Sequence, residues 1–214
     1  MPQETRLEPI RLGFVRGVAP SKWAERWQRA STQVLELVPV SLGEVEAART
    51  SVDVLLERTL PGETPPGTDP AQQVRHAVRL YEEQVALVID AGHELASQKS
   101  LTVEELALVR LLDHPDHGKS WPAAEPWSDP SWMPKNAQMT LELVSTGTGA
   151  ALMSQPLAQH LSKKREHAVL TVAAHGKTSL DGSSIWATWQ RERDRDDVQQ
   201  LIGFLRGRTA RSSR

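Results

Sequence analysis

Residues 10–56 read IRLGFVRGVAPSKWAERWQRASTQVLELVPVSLGEVEAARTSVDVLL and alternate between short apolar runs and amphipathic segments. The apolar runs predict three strands, at residues 10–15, 34–38 and 52–56. Pro20 and Ser21 open a helix between the first two strands, and residues 44–49 form a short helix before the third. This strand–helix order predicts right-handed crossovers and a parallel sheet, which is an α/β fold.

Helix signals recur along the rest of the chain. A capping box at Thr102 and Glu105 predicts a helix start at residues 101–106. Asn136 is a predicted N-cap, and Gly147 is placed to end that helix in a left-handed conformation. Ser154 is the predicted cap of a following helix. The last helix is predicted from an apolar stripe at helical spacing, formed by Val198, Leu201, Ile202 and Leu205.

The order of these elements predicts two lobes. We assign residues 9–82 and 176–206 to lobe I, residues 83–175 to lobe II, and residues 207–214 to a basic tail. The final strand and helix are too short to stand alone, so we expect them to rejoin lobe I. Two crossovers between lobes form a hinge, and a cleft between lobes is where a ligand usually binds.

Composition narrows the function classes. The chain has 214 residues, a net charge of −2 and no cysteine, which excludes disulfides, thiolate metal sites and a cysteine nucleophile. No secretory leader and no apolar run of membrane-spanning length is visible, so we expect a cytoplasmic protein. Basic residues are scattered until the tail, so the chain lacks an extended electrostatic footprint for nucleic acid.

Several motifs, taken in order, resemble the effector-binding domain of LysR-type transcriptional regulators. They are the first strand with its Pro-started helix, Leu35-Glu36-Leu37-Val38, the strand at 52–56, Leu80-Tyr81-Glu82 before the apolar run 85–88, Gly92-His93-Glu94-Leu95-Ala96, and the segment 143–152. That last segment, LVSTGTGAAL, is the best match and is similar to the family's Val-x-x-Gly-x-Gly-Ile-Ala-Leu pattern. Glu94 and Ser154 stand where the family usually has proline.

The resemblance implies a fold and a role. The fold would be two Rossmann-like lobes with a hinge, as in type 2 periplasmic binding proteins, with a small-molecule effector in the cleft and no cofactor. It also implies a homodimer. The family's winged helix-turn-helix is not seen ahead of residue 10, so a stand-alone effector domain is expected and direct DNA binding is doubtful.

Candidate ligand-binding residues are those expected at the carboxyl ends of strands and at helix N-termini. They are Arg16, Gly17, Ser21, Ser41 and Thr59 in lobe I, and Asp113, Asn136 and Thr140 in lobe II. Arg16 is suited to a carboxylate ligand, which makes such a ligand our expectation. Alternatively, Ser21 and Asn136 are only helix caps, and Arg16 is an ordinary solvated loop residue.

Other constellations are weaker. His114-Pro115-Asp116-His117 suggests a metal site but offers no defined third ligand on a firm support, so we predict no metal. His175 with Asp181 and Ser179 or Ser183 lacks a Gly-x-Ser-x-Gly elbow, so we predict no catalytic residues. The tryptophans of the segment 113–135, Trp121, Trp127 and Trp132, either form a lid or partner surface or pack this loop onto lobe II.

The resemblance favours a small-molecule sensor whose ligand closes the cleft and changes how the domain pairs with itself or with a partner. The first alternative is a solute-binding protein of a transport system. The second is an enzyme on the same scaffold.

Overall fold

The structure is a computed structural model that describes residues 8–71, 73–174 and 178–207. The described residues fold into two compact units. Unit 1 joins residues 8–58, 64–81 and 185–207, and unit 2 joins residues 59–63 and 82–184. Residues 178–184 therefore group with unit 2 here, whereas the sequence assigned them to lobe I. The two lobes as independently moving bodies stay a prediction.

Unit 1 is built on a sheet of five strands among the described residues. The strands are β1 Ile10–Val15, β2 Leu35–Val40, β3 Val54–Thr59, β4 Arg75–Glu82 and β9 Ser184–Gln190. Their order across the sheet is β2-β1-β3-β9-β4. Strand β1 pairs in parallel with both β2 and β3, with Val15 opposite Val40 and Phe14 opposite Leu56. The predicted parallel α/β arrangement is thereby confirmed.

Three α-helices accompany this sheet within the described part of unit 1. They are α1 Ser21–Ala30, α2 Val45–Ser51 and α5 Asp196–Leu205. Trp27 on α1 is fully buried, packs edge-on against Phe204 of α5 at 5.4 Å, and donates its indole N–H to the Gln33 carbonyl at 2.7 Å. The predicted apolar stripe of α5 lies in the same core. Strand β9 and helix α5 thus complete the sheet and the core of unit 1.

Unit 2 contains a sheet of four strands among the described residues. The strands are β5 Val85–Asp90, β6 Ser100–Thr102, β7 Ala151–Ser154 and β8 His167–Ala173, and their order is β6-β8-β5-β7. Strand β5 runs antiparallel to β7 and β8, and β6 runs parallel to β8. Because Leu87, Leu152 and Leu170 come from three adjacent strands and are all fully buried, they form the centre of this unit's core.

The predicted caps of unit 2 are confirmed. Asn136 accepts from the Met139 amide at the start of α3 Ala137–Val144, and Ser154 accepts from the Leu157 amide at the start of α4 Gln155–Leu161. Gly147 has φ +73°, which is the left-handed conformation expected after a helix.

The prediction of a helix that starts at residues 101–106 is wrong for most of this segment. Residues 100–102 belong to strand β6, where Leu101 pairs with Val172, and only a short 3₁₀ helix, Glu104–Leu108, follows. The capping box itself is present, because Glu105 accepts from the Thr102 amide at 2.6 Å and Thr102 accepts from the Glu105 amide at 3.4 Å. Pairing with β8 holds the beginning of the segment extended, so the local signal produces one turn only.

A buried ionic network ties β3 to its neighbours in unit 1. Glu57 on β3 is 1% exposed and pairs with Arg75 on β4 at 2.7 Å and with Arg49 on α2 at 3.0 Å. The Thr188 hydroxyl on β9 donates to the same Glu57 carboxylate. Desolvated charges are stable only when they are paired, so this network fixes these elements to each other.

We expect Glu57→Ala to lower the free energy of unfolding by about 3–5 kcal/mol, because it leaves Arg75 buried beside a missing carboxylate. The matched control is Glu36→Ala, whose exposed side chain lies 3.6 Å from Arg11 and should contribute less than about 1 kcal/mol. Urea denaturation followed by circular dichroism measures both. Equal losses would contradict the structural role of the buried network.

Candidate functional site

The carboxyl edge of the unit 1 sheet brings together loops that are distant in sequence. Strand β1 lies between β2 and β3 and runs parallel to both, so the residues that follow Val15 and Val40 emerge at one edge. Arg16 and Ser41 are these residues, and both are exposed. Arg58, near the end of β3, donates from its guanidinium to the Arg16 carbonyl at 3.0 Å. This edge is therefore a candidate anion-binding surface.

The turn after β1 is shaped by Gly17. Its φ of +85° lies in the left-handed region, which glycine adopts without strain. The Val18 amide closes the turn on the Val15 carbonyl at 3.2 Å, and the chain then enters α1. Ser21 is the first residue of α1, while Pro20 is the N-cap and no side chain caps the helix. The alternative interpretation of Ser21 as a cap is therefore wrong.

Thr59 ends β3 and is 8% exposed. Its hydroxyl donates to the Glu63 carbonyl at 3.1 Å. This contact closes the start of the loop that follows the strand. The Thr59 hydroxyl therefore has a structural partner, and a ligand contact of this residue stays a prediction.

The unit 2 candidates are mostly engaged in local structure. The Asp113 carbonyl accepts from the Trp127 indole N–H at 2.8 Å, and the side chain of Asp113 is half-buried. Asn136 caps α3 by accepting from the Met139 amide at 3.1 Å, which confirms its predicted role as a cap. Thr140 is fully buried and its hydroxyl donates to the Asn136 carbonyl at 3.1 Å. Among these three, Asp113 has the side chain whose function is least explained by local structure.

The histidine motif is packed into unit 2. Among the residues the structure describes, no group of three or more His, Cys, Asp or Glu side chains could hold a metal ion. The rings of His114 and His117 lie 5.7 Å apart, and the Trp121 ring lies 5.6 Å from that of His117. His114 accepts from the Asp116 amide at 3.2 Å through Nδ1. The motif therefore acts in loop packing.

Burial lowers the pKa of His114 to about 4. Desolvation is the largest cause, the neighbouring His117 charge acts in the same direction, and a smaller effect of the Leu152 backbone opposes them. Desolvation also lowers the pKa of His117. Both imidazoles are consequently neutral at pH 7.

The three tryptophans of residues 113–135 have different environments. Trp121 is 5% exposed and donates to the Asp181 carbonyl at 2.8 Å, so it packs the loop onto the unit. Trp127 is half-buried, whereas Trp132 is 62% exposed. The packing interpretation therefore applies to Trp121, whereas a lid or partner surface at Trp132 stays a prediction.

The remaining sequence candidates lie partly outside the described residues. His175 and residues 208–214 of the basic tail lie outside the described residues. Ser183 is 1% exposed, so it is not an accessible nucleophile. Sequence reasoning missed Arg58 because the third strand was predicted to end at residue 56 rather than at Thr59.

These features together define a protein with two α/β units and a polar loop edge in unit 1. Residues 65–210 match the family described as the LysR substrate binding domain. The chain belongs to this family, which confirms the resemblance seen in the sequence.

Solved structures of regulators share this fold. The oxidized form of OxyR from Corynebacterium glutamicum has a TM-score of 0.61 at 16% identity, over 95% of this chain and 64% of that chain. The reduced OxyR regulatory domain from Pseudomonas aeruginosa has a TM-score of 0.58 at 12% identity, over 94% and 96%. The effector binding domain of QuiR in complex with shikimate has a TM-score of 0.59 at 12% identity, over 92% and 94%.

The coverage and the sequence identities determine what these similarities show. The chain spans just under two thirds of the oxidized C. glutamicum OxyR chain. At such identities the likeness shows the fold, and the fold is the predicted type 2 periplasmic-binding-protein-like one. No curated protein matches the sequence. Across residues 8–71, 73–174 and 178–207, we find no helix of sufficient length and hydropathy to span a membrane.

Acidification should destabilise the protein through His114. A histidine whose pKa is lowered by folding contributes its full stability above the unfolded pKa of 6.5 and loses it as the pH falls to about 4. The difference between these two pKa values corresponds to about 3 kcal/mol of stability. We expect His114→Gln to flatten the pH dependence of the unfolding free energy over this range, measured by urea denaturation. The control is His160→Gln, at an exposed position on α4. An equal flattening of the pH dependence in this control would contradict its assignment to His114.

Proposed function

We propose that this domain binds a small carboxylate effector in a cleft between its two lobes and that closure around the ligand transmits a signal. The proposed contacts in lobe I are Arg16, Gly17, Ser21 and Ser41, with Thr59 at the end of β3. The proposed contact in lobe II is Asp113, because the Asn136 side chain caps α3 and the Thr140 side chain is buried in the core. Family membership supports an effector-binding role in a transcriptional regulator rather than an enzyme.

The observation that carries the proposal is the parallel placement of β1 between β2 and β3. It puts an exposed arginine, an exposed serine and the beginning of a ten-residue helix on neighbouring loops. Arg16 offers a planar guanidinium for bidentate pairing with a carboxylate. The first amides of α1 and the positive end of its dipole favour the same charge. The arginine and the start of α1 thus both favour an anion.

The chemistry of the ligand follows from these donors and from the composition of the chain. The fold relative QuiR is described in complex with shikimate, which is a small carboxylate and so matches the donors at this edge. Other fold relatives are described as oxidized and reduced forms of OxyR. This chain has no cysteine, so a thiol switch within it is excluded. We therefore place a reversible carboxylate ligand ahead of redox sensing.

The signal would be transmitted through a change in the oligomeric assembly of the domain. We propose that the domain pairs with a second copy of itself in the cytoplasm and that ligand-driven closure changes this pairing. DNA would then be contacted by another module or protein instead of by these residues.

Arg16→Ala tests the proposed function. A thermal-shift screen of small carboxylates and aromatic acids, beginning with shikimate, first identifies a binder, and calorimetry then measures its affinity. Loss of a charge-assisted contact should weaken binding roughly 10- to 100-fold. Arg29→Ala is the matched control, because Arg29 lies in the last turn of α1 and is exposed.

Unchanged affinity of Arg16→Ala would remove this edge from the binding site. A screen in which no carboxylate stabilises the protein would contradict the ligand class itself.

A further inference from the structure

Unit 2 contains a cavity that the proposed effector site does not use. Its volume is about 260 Å³. The residues lining it are Arg110, Leu112, Glu125, Pro126, Trp127, Ser128 and Trp132. None of the proposed effector contacts is among them. The cavity therefore requires an explanation of its own.

The walls of the cavity are held by regular contacts. Leu112 and Glu125 form a parallel bridge, and the Glu125 amide donates to the Leu111 carbonyl at 2.8 Å. The Trp127 indole N–H is fixed on the Asp113 carbonyl at 2.8 Å. These contacts join residues 111–113 to residues 125–127. The walls of the cavity are therefore fixed within the folded unit.

Trp132 is positioned by a 3₁₀ turn, Pro130–Trp132, that Asp129 caps by accepting from the Ser131 amide at 2.9 Å. The turn leaves Trp132 with 62% of its surface exposed. A large aromatic side chain gains free energy when its surface leaves water, so a ligand that covers Trp132 is stabilised.

The charges of the cavity are balanced. Arg110 and Glu125 form an ion pair, and their side chains are 55% and 54% exposed. A ligand with one charge would leave one of these groups opposed by a like charge or without its partner. A zwitterion can pair its carboxylate with Arg110 and its ammonium with Glu125, so that both charges stay compensated.

Two tryptophans favour a particular kind of ammonium group. The indole ring attracts cations more strongly than other aromatic side chains do, and weakly hydrated alkylated ammonium groups lose little hydration when they bind to it. We propose that this cavity is a second ligand site that binds small zwitterions with an alkylated ammonium group, of the betaine type.

The test uses the full chain with glycine betaine as the probe. Indole N–H signals in ¹⁵N-labelled protein are followed by NMR during the titration, with the Trp132 signal assigned by Trp132→Phe. We expect saturable shifts of the Trp127 and Trp132 signals, with a dissociation constant on the order of 1 mM, as suits a ligand of this size. Absence of saturable shifts at these two signals would overturn the proposal.

Variants of Trp132 and Glu125 test the two proposed contacts, and ligand analogues test whether both ligand charges are needed. Trp132→Ala should weaken binding roughly 3- to 30-fold, whereas Leu108→Ala, which also changes an exposed apolar side chain of unit 2, should leave it unchanged. Glu125→Gln should weaken binding while it preserves side-chain shape. Equal binding of tetramethylammonium or of trimethylacetate would overturn the zwitterion class.

The test of this second site is independent of the test of the proposed effector site. Arg16→Ala should leave the betaine titration unchanged, because Arg16 is not among the residues of the cavity. Loss of betaine binding in that variant would place the probe elsewhere and overturn the proposal.

Discussion

The pairing of β1 with β2 on one side and β3 on the other is the constraint on which the candidate site depends. Both pairings are parallel, so the backbone must return to the opposite edge before each new strand begins. The return segments are α1 and α2, and the outgoing loops meet at one edge. Arg16 and Ser41 are neighbours for this reason, although 25 positions separate them in sequence.

Buried charge strengthens the same framework. Glu57 lies on β3 one residue before Arg58, and its carboxylate is held by Arg49, Arg75 and Thr188. The network links α2, β4 and β9 to β3. The next residue along, Arg58, then reaches the Arg16 carbonyl. A buried ionic network and an exposed loop contact are thus adjacent along one strand.

Much of this architecture could be predicted because its signals are local and periodic. The apolar runs, the α5 stripe and the caps at Asn136 and Ser154 depend on spacing and backbone chemistry within a few residues. The segment 101–106 shows the limit. Its capping box is real, yet pairing of Leu101 with Val172 decides its conformation, and no local pattern reports a partner 71 positions away.

The candidate site was less predictable than the fold. Helix position alone suggested Thr140, but the helix turns this side chain into the core, where its hydroxyl satisfies the Asn136 carbonyl. The segment 113–135 has no periodicity, so the separation of buried Trp121 from exposed Trp132 depends on tertiary contacts such as the Asp181 carbonyl. The cavity beside Trp132 had no sequence signal beyond the abundance of tryptophan.

Hydrogen–deuterium exchange with and without a carboxylate ligand measures most directly whether the edge organised by β1 is the effector site. The account predicts slower exchange on ligand binding in the loop at residues 16–21 and in the loop that begins at Ser41. Protection confined to other parts of the chain, with both loops unchanged at saturating ligand, would contradict it.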